Sequence, residues 1–370
     1  MADQKFRTQK SYRGWRIPRP SPIPKAAGGR AFSYLGPGPV EIDVNMGGSE
    51  RMNDGRRIRT WQFGRGFNDD RSVPGPVIEG IEGQPVEVTL RSQMPHSIHF
   101  HGLDVDQAND GVPSTSGYVS SMGGMGGMGG MGGMGGMGGM GMNFGRVSGY
   151  NNLRSPFTYR FIAPHAGTYM YHCHVDTGLH IEMGMYGTVI IRPPDNDDKR
   201  TWSGGPTFDR EYIWHLHTFD STWHSEMVSG PRTVRHRPDY FMINGRDGDS
   251  SIKDPTSAIS AAPGDRVLIR LINVGYQPAL VGLGGLEFEV IASDGRPLPE
   301  PLSMNEYLVA PGERYDIMFT MPAEAHYGAM VEYLDIRLRK ILGQASTRIE
   351  ALFVEYNKIN PPGFTGGSIL

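Results

Sequence analysis

Cysteine is almost absent from this chain: one residue, Cys173, occurs in 370 positions. A single thiol excludes an internal disulfide, so it says little about the redox compartment of the protein. Most lone cysteines are small buried hydrophobic residues. Cys173 has a histidine on either side, and these neighbours favour a different role for it.

Long hydrophobic runs and a strong excess of one charge are also missing. No segment approaches the roughly 18 apolar residues of a membrane-spanning helix, so the sequence predicts a soluble protein without a membrane span. The net charge of −3, without a basic tract, argues against nucleic acid as a partner. The sequence predicts no signal peptide in its first residues, and this start fits either a trimmed mature form or a cytoplasmic protein.

Helical periodicity is nearly absent, whereas short alternating segments separated by Gly, Pro, Asn and Asp recur along the chain. Val40–Val44 and Val86–Leu90 alternate cleanly, as the short strands of β-sandwiches do. Residues 75–80 and 83–90 are predicted to form a β-hairpin that leads into a histidine-rich segment. Further strands are predicted at 58–63, 212–217, 267–272, 286–291, 315–320 and 349–354. We therefore predict an all-β protein built of two packed sandwiches.

Composition and proline content suggest the domain boundaries. Residues 1–35 are rich in Pro, Arg and Lys, which favours an extended N-terminal arm. The first domain is predicted at 36–195 and ends in a polar, proline-bearing linker, and the second is predicted at 205–357. Residues 358–370 form a C-terminal tail. The length is sufficient for two domains of ordinary size.

The segment 169–187 carries a cluster of potential metal ligands. Cys173 lies between His172 and His174, His180 follows seven residues after Cys173, and Met185 follows five residues later. One thiolate, one imidazole and one thioether are three of the four ligands of a type 1 copper site, which has two histidines, a cysteine and a weak axial methionine. The missing histidine is predicted to come from an earlier strand, and His96 is the candidate.

The second histidine-rich segment, residues 95–102, supports this interpretation. Six of the twelve histidines lie in this segment and the Cys173 segment together. A chance cluster of a buried cysteine and unrelated histidines explains that concentration poorly.

A glycine–methionine repeat separates the two segments. Residues 122–142 contain eight methionines spaced by glycine: Met122, Met125, Met128, Met131, Met134, Met137, Met140 and Met142. Glycine at this density favours an exposed flexible loop. The loop is either a low-complexity spacer or a Cu(I)-binding segment, since thioethers are soft ligands that select Cu(I).

The histidine and cysteine motifs resemble those of the multicopper oxidases. The two-domain layout is similar to the small laccase-type oxidases and, more distantly, to the copper nitrite reductases. Framework segments at 238–245, 271–276 and 310–316 extend the resemblance into the second domain, so that it covers roughly residues 40–357. It implies two cupredoxin-like Greek-key β-sandwich domains, assembly as a homotrimer, and a periplasmic or extracellular location.

The resemblance also implies two groups of copper ligands in the first domain. The type 1 ligands would be His96, Cys173, His180 and Met185. The first domain's half of a trinuclear copper cluster would be His99, His101, His172 and His174. The predicted catalytic relay is His172, Cys173 and His174, because the histidines that flank Cys173 give a short covalent path from the type 1 copper to the oxygen-reducing cluster.

The second domain departs from the family pattern. Where the family has a His-x-x-His-x-His-Gly run, residues 279–285 read Ala-Leu-Val-Gly-Leu-Gly-Gly. Residues 328–335, where a second pair is expected, also contain no histidine, and the second-domain histidine of copper nitrite reductases is absent too. We therefore expect an incomplete trinuclear site.

Other histidines could compensate only if they lie near this site. His215 and His217 alternate on one predicted strand and face the same side, and His224 follows nearby. The family has no copper ligands on this strand, so a surface or interface role is favoured for them.

Two classes of function follow. The first is a copper-dependent oxidoreductase that accepts single electrons from a small-molecule, metal-ion or protein donor at the type 1 copper, with one further copper at the remaining histidines. The alternative is a non-enzymatic type 1 electron carrier, or a copper-sequestering protein that binds Cu(I) through the loop. A purely structural role fits poorly, because all eight ligand positions of the first domain are intact.

Overall fold

The structure is a computed structural model that describes residue 32 and residues 34–65, 72–121, 151–195, 197, 199–225, 235–323 and 326–351. Nearly all of the predicted N-terminal arm, the Gly-Met loop at 122–142 and the C-terminal tail lie outside these ranges.

The first half of the chain forms a β-sandwich. Its strands are β1 (Tyr34–Leu35), β2 (Val40–Arg51), β3 (Arg57–Gly64), β4 (Val77–Ile81), β5 (Pro85–Arg91), β6 (His99–His101), β7 (Tyr118–Ser120), β8 (Asn152–Arg154), β9 (Phe157–Ile162), β10 (Gly167–His172) and β11 (Tyr186–Arg192). One sheet has the order β1-β4-β11-β10-β6, the facing sheet has the order β3-β2-β5-β9, and β7 pairs with β8. The core between the two sheets includes Ile42, Phe63, Val88, Phe100 and Tyr171.

The second half forms another sandwich. Its strands are β12 (Arg210–Phe219), β13 (Tyr240–Ile243), β14 (Arg246–Asp247), β15 (Ile259–Ala261), β16 (Arg266–Asn273), β17 (Ala279–Gly282), β18 (Phe288–Ser293), β19 (Arg296–Met304), β20 (Glu306–Val309), β21 (Arg314–Thr320), β22 (His326–Asp335) and β23 (Lys340–Ala351). The sheets have the orders β14-β13-β12-β16-β21-β18-β19 and β15-β23-β22-β17-β20. The prediction of an all-β protein with two sandwiches is confirmed.

Helices are few and short, in agreement with the missing helical periodicity. The four that are described are α1 (Pro113–Ser116), α2 (Thr177–Glu182), α3 (Ser221–Ser225) and α4 (Gly248–Lys253). None of the helices in the described ranges is long and apolar enough to cross a bilayer.

The two sandwiches share a buried interface. Every residue of β10 and β11 is buried, because one face of these strands packs into the first core while the other packs against the second sandwich. A separate apolar cluster joins Met170 and Ile190 of the first half to Ile213, Phe219 and Ile272 of the second. This double burial explains why β11 has a continuous apolar centre instead of an alternating pattern.

Charged side chains also cross this interface. Arg192 of β11 binds Glu79 and Glu211, with nitrogen–oxygen distances of 2.7 and 2.8 Å. Arg270 of β16 binds the same Glu211 at 2.7 Å and Asp316 at 3.4 Å. Arg192 and Arg270 are both buried, so Glu211 lies between two desolvated guanidinium groups.

The predicted hairpin of residues 75–80 and 83–90 is wrong. The two segments form strands β4 and β5, but β4 pairs with β1 and β11 whereas β5 pairs with β2 and β9. The turn between them carries the chain from one sheet to the other. Ile78 of β4 and Val86 of β5 therefore enter the sandwich core from different sheets.

Candidate metal centre

Three donor atoms converge at one end of the first sandwich. The Sγ atom of Cys173 lies 3.0 Å from Nδ1 of His180 and 3.5 Å from Nδ1 of His96, and the two Nδ1 atoms are 3.2 Å apart. Cys173 directly follows β10, and α2 carries His180 back towards it. His96 was predicted to lie in a strand. It lies instead in an isolated β-bridge with Val119, ahead of β6.

Met185 is held beside these three residues by its backbone. Its carbonyl oxygen accepts a hydrogen bond of 3.1 Å from the Cys173 N–H, and its own N–H donates to the His180 carbonyl at 2.9 Å. The Met185 side chain is fully buried in the first core. The turn that ends α2 therefore places Cys173, His180 and Met185 close together.

The chemistry of this set fits a soft metal ion. Metal–nitrogen and metal–sulfur bonds of about 2.0 to 2.3 Å in a trigonal plane keep the ligand atoms roughly 3.5 Å apart. Burial lowers the pKa of His96 to about 3, so its imidazole is in the neutral form that binds metals. Burial raises the pKa of the Cys173 thiol to about 12, and a nearby cation is the group that would stabilise its thiolate.

Trp61 of β3 covers this group of residues. Its ring lies edge-on to His180 at a centroid distance of 5.0 Å and to His96 at 6.4 Å. His96, Cys173, His180 and Met185 all have no exposed surface. A molecule in solution therefore cannot touch any of the four side chains directly.

A second group of histidines lies on the other side of Cys173. Donor atoms of His99, His101 and His172 lie within 4.8 Å of one another, and Nδ1 of His101 is 3.2 Å from Nε2 of His172. His174 is adjacent but outside that group, with its ring centroid 5.1 Å from His99. His172 and His174 are linked through Cys173 in the chain, so the two groups are one residue apart.

Burial also favours the neutral imidazole at His101 and His172 of the second group. Burial lowers the pKa of His172 to about 3, and burial with the nearby Arg314 lowers that of His101 to about 4. Nδ1 of His99 lies 2.8 Å from the Asp110 carbonyl oxygen. That contact requires the proton on Nδ1 and leaves Nε2 of His99 as its donor to a metal.

The second sandwich offers no comparable group within the described residues. Ala279 and Val281 of β17 point into its apolar core, and Leu283 follows them there. The segment that carries histidines in the family therefore serves as core packing in this chain.

His215 and His217 lie in the interface between the sandwiches. His215 Nε2 is 2.9 Å from the Thr188 hydroxyl, and His217 Nδ1 is 3.1 Å from the Tyr186 hydroxyl. Both histidines are fully buried and contact residues of β11.

One group of residues had no signal in the sequence. Glu182, at the end of α2 and two residues after His180, is fully buried and lies among three histidines. Its carboxylate oxygens are 3.1 Å from Nε2 of His236, 3.5 Å from Nε2 of His224 and 4.0 Å from Nε2 of His217. Burial would raise the pKa of Glu182, but the contacts with His224 and His236 outweigh it and lower the pKa to about 2. Glu182 therefore stays ionised next to the Cys173–His180 loop.

The fold is cupredoxin-like, and its first sandwich contains two groups of potential metal ligands. Two family models, both described as multicopper oxidase, match residues 213–353 and 152–195. The chain belongs to the multicopper oxidase family.

Known relatives agree with this assignment. The chain is 25% identical over 323 residues to the multicopper oxidase MmcO of Mycobacterium tuberculosis, covering 80% of this chain and 52% of the relative. It is 24% identical over 354 residues to copper resistance protein A of Pseudomonas syringae pv. tomato, covering 83% and 49%. The chain thus spans about half the length of these curated relatives. The crystal structure of a blue copper oxidase from Nitrosomonas europaea is similar with a TM-score of 0.60 and 26% identity, covering 84% of this chain and 85% of that one.

Proposed function

We propose that this protein is a copper-dependent oxidoreductase that accepts single electrons at a type 1 copper held by His96, Cys173, His180 and Met185. The observation that carries the proposal is the convergence of one sulfur and two imidazole nitrogens within 3.5 Å in a fully buried pocket. Copper in such a ligand set cycles between Cu(I) and Cu(II) and transfers one electron at a time.

The chain's own residues supply the path away from this centre. Cys173 follows His172 and precedes His174, so two covalent connections lead from its sulfur to the second histidine group. His172 is also fixed by the contact of its Nδ1 with the Cys173 carbonyl oxygen at 3.0 Å. We propose His172, Cys173 and His174 as the relay and place one further copper at His99, His101, His172 and His174.

The proposed second copper site is smaller than a trinuclear cluster. A three-copper centre of the family's kind needs about eight imidazoles, as the resemblance implies, and the first sandwich supplies four. In the homotrimer that we propose, a neighbouring second sandwich would bring Gly282 and Gly284 to missing positions, and neither residue has a donor side chain. Waters would have to complete the coordination of additional ions, which would be held weakly.

Copper content provides the first test. We expect metal analysis of the copper-loaded, extensively dialysed protein to give one to two coppers per chain, roughly, rather than about four. Light scattering of the same sample measures whether the assembly is a trimer. Four tightly bound coppers per chain, with rapid four-electron reduction of oxygen, would contradict the incomplete site.

The alternative function is an electron carrier or Cu(I)-binding protein that does not turn over a substrate. The eight methionines of 122–142 favour it, although this loop lies outside the described residues. Steady oxygen uptake in the presence of a phenolic reductant or Cu(I) supports the oxidoreductase, whereas a reducible blue centre without oxygen uptake supports the carrier. The periplasmic or extracellular location implied by the resemblance is compatible with both.

Deletion of residues 122–142 tests the loop separately. If its thioethers bind Cu(I), the deletion should lower the Cu(I) content measured under anaerobic, reducing conditions and leave the visible spectrum of the oxidised protein unchanged. A Gly-Ser segment of equal length is the matched control for loop length. Equal Cu(I) binding by the parent and the deletion variant would identify the loop as a spacer.

A further inference from the structure

The buried position of the type 1 ligands raises the question of where a reductant binds. His96 and His180 have no exposed surface, and the Trp61 ring packs edge-on against both. Electrons must therefore reach this centre through side chains or backbone that extend from it to the surface.

A cleft of the second sandwich is connected to the loop that carries His180 through hydrogen bonds of two residues in its wall. It has a volume of about 640 Å³ and is lined by the segment 235–238, by Tyr276 and by the tip of the β22–β23 hairpin. Tyr276 is 37% exposed, and its hydroxyl donates a hydrogen bond to the Gly178 carbonyl oxygen. A molecule in the cleft can thus contact Tyr276, which is hydrogen-bonded to the loop that carries His180.

A second wall residue contacts this loop on the other side of His180. His236 lines the cleft, and its Nε2 lies 3.1 Å from the Glu182 carboxylate. Nδ1 of His236 faces the side-chain nitrogen of Gln277 at 3.4 Å, which fixes the proton on Nε2 and makes His236 the donor to Glu182. Two hydrogen bonds, at Gly178 and Glu182, therefore connect the cleft wall to positions two residues before and two residues after His180.

The charges of the cleft select its ligand. Arg235, Arg237, Arg337 and Lys340 surround it, against a single carboxylate from Asp335. None of these four cations forms an ion pair with a carboxylate in the described part of the chain. Arginine binds carboxylates and sulfonates through paired hydrogen bonds and also stacks on aromatic rings.

Apolar surface lies beside these cations. Ile336 and Leu338 at the hairpin tip line the cleft and are 63% and 57% exposed, respectively. An aromatic body would cover this apolar surface, and an anionic substituent would reach the arginines. A cationic reductant would be repelled by the same side chains.

We propose that this cationic cleft, formed by Arg235, Arg237, Arg337, Lys340, His236 and Tyr276, is the binding site of the electron donor and selects a small aromatic reductant with a carboxylate or sulfonate group. This inference rests on the proposed oxidoreductase function. A docked phenol would lose one electron to Cu(II) held by His96, Cys173, His180 and Met185 and would release its hydroxyl proton to water in the open cleft. The one-electron-oxidised phenol then leaves, and no bond to the protein forms.

Anion binding can be measured without turnover. We would titrate the copper-loaded full chain with 1-naphthalenesulfonate by calorimetry and use neutral 1-naphthalenemethanol for comparison. The double variant Arg337→Gln, Lys340→Gln should bind the sulfonate roughly tenfold more weakly than wild type, because two exposed charges are lost. The matched control is Arg51→Gln, Arg154→Gln, which removes two exposed arginines of the first sandwich and should not change the affinity. High salt should weaken wild-type binding.

Electron entry is measured by anaerobic reduction of the visible band with hydroquinonesulfonate or neutral hydroquinone. The double variant should slow the reaction with the sulfonate roughly tenfold below saturation and leave hydroquinone unaffected. Tyr276→Phe, which retains the ring but removes the hydrogen bond to Gly178, should slow reduction by both compounds by a larger factor than it weakens binding of 1-naphthalenesulfonate.

The two measurements test the proposed donor site and the oxidoreductase function independently. Sulfonate binding that depends on Arg337 and Lys340, in a protein without a reducible visible band, would overturn the oxidoreductase function and support the cleft as an anion site. The proposed donor site would be overturned if the visible band is reduced normally and the double variant changes neither the affinity for 1-naphthalenesulfonate nor the rate of reduction by hydroquinonesulfonate.

Discussion

Replacement of Cys173 by serine should abolish the intense visible absorption of the copper-loaded, oxidised protein. That band comes from charge transfer between a cysteine thiolate and Cu(II), and Cys173 is the only thiol in the chain. A serine hydroxyl is a hard ligand that stays protonated, so it cannot replace the thiolate. The expected result is complete loss of the band, recorded at equal copper loading by absorption spectroscopy.

A conservative change in the same loop is the control for this experiment. Met183→Leu alters a buried methionine two residues before Met185 and keeps similar volume, so the band should remain. Far-ultraviolet circular dichroism of both variants checks that the sandwich is folded. A wild-type protein that is fully loaded and oxidised but colourless would contradict the type 1 assignment.

The proposed type 1 residues could be predicted from the sequence because most of them are local. Cys173, His180 and Met185 lie within thirteen residues on one strand end, one short helix and one turn, so their spacing largely determines their proximity. His96 required a long-range choice, but few upstream histidines were available and they lie together. The two-sandwich fold followed from alternating segments, which depend only on neighbours along the chain.

Other features depend on contacts that the sequence does not encode locally. The segments at 75–80 and 83–90 have the turn signals of a hairpin, yet pairing of β4 with β11 and of β5 with β9 places them in different sheets. The network around Glu182 brings together His217, His224 and His236 from a strand, a helix and a loop. No spacing rule connects these histidines to a glutamate far upstream.

The shielding by Trp61 is a third example of a long-range contact. The sequence identifies Trp61 only as a strand residue, while the packing of β3 against the α2 turn puts its ring over two of the proposed ligands. The same packing joins Trp61 N–H to the Met183 carbonyl at 2.8 Å. Access to the centre is thus determined by tertiary contacts, although the proposed ligands are recognisable in the sequence.

Disruption of the buried ion network between the sandwiches should have the largest effect on the free energy of unfolding. Glu211 accepts hydrogen bonds from Arg192 at 2.8 and 2.9 Å and from Arg270 at 2.7 Å. Burial would raise the pKa of Glu211, but Arg270 and Arg192 outweigh it and lower the pKa to about 2. The negative charge is therefore what holds two desolvated guanidinium groups close together.

Glu211→Gln keeps the shape of the side chain and removes this charge. Breaking a buried ion pair by changing one partner costs about 3 to 5 kcal/mol, and we expect a loss of roughly 3 kcal/mol at pH 7, since glutamine retains one acceptor. Urea unfolding of the copper-free protein, followed by tryptophan fluorescence, measures this difference without a contribution from metal binding. Glu306→Gln changes an exposed residue of β20 and is the matched control. It should unfold at the same urea concentration as the wild type.

Glu211→Gln should also change how the free energy of unfolding depends on pH. The folded pKa of Glu211, about 2, lies below its ordinary value of 4.5, so its contribution is fully present above about pH 4.5 and is lost as the pH falls through 2. The stability difference between wild type and Glu211→Gln should therefore be constant from pH 7 to about 5 and shrink steadily below that. A difference that persists unchanged at pH 2.5, or a variant as stable as wild type at pH 7, would show that the carboxylate is not what joins the two sandwiches at this point.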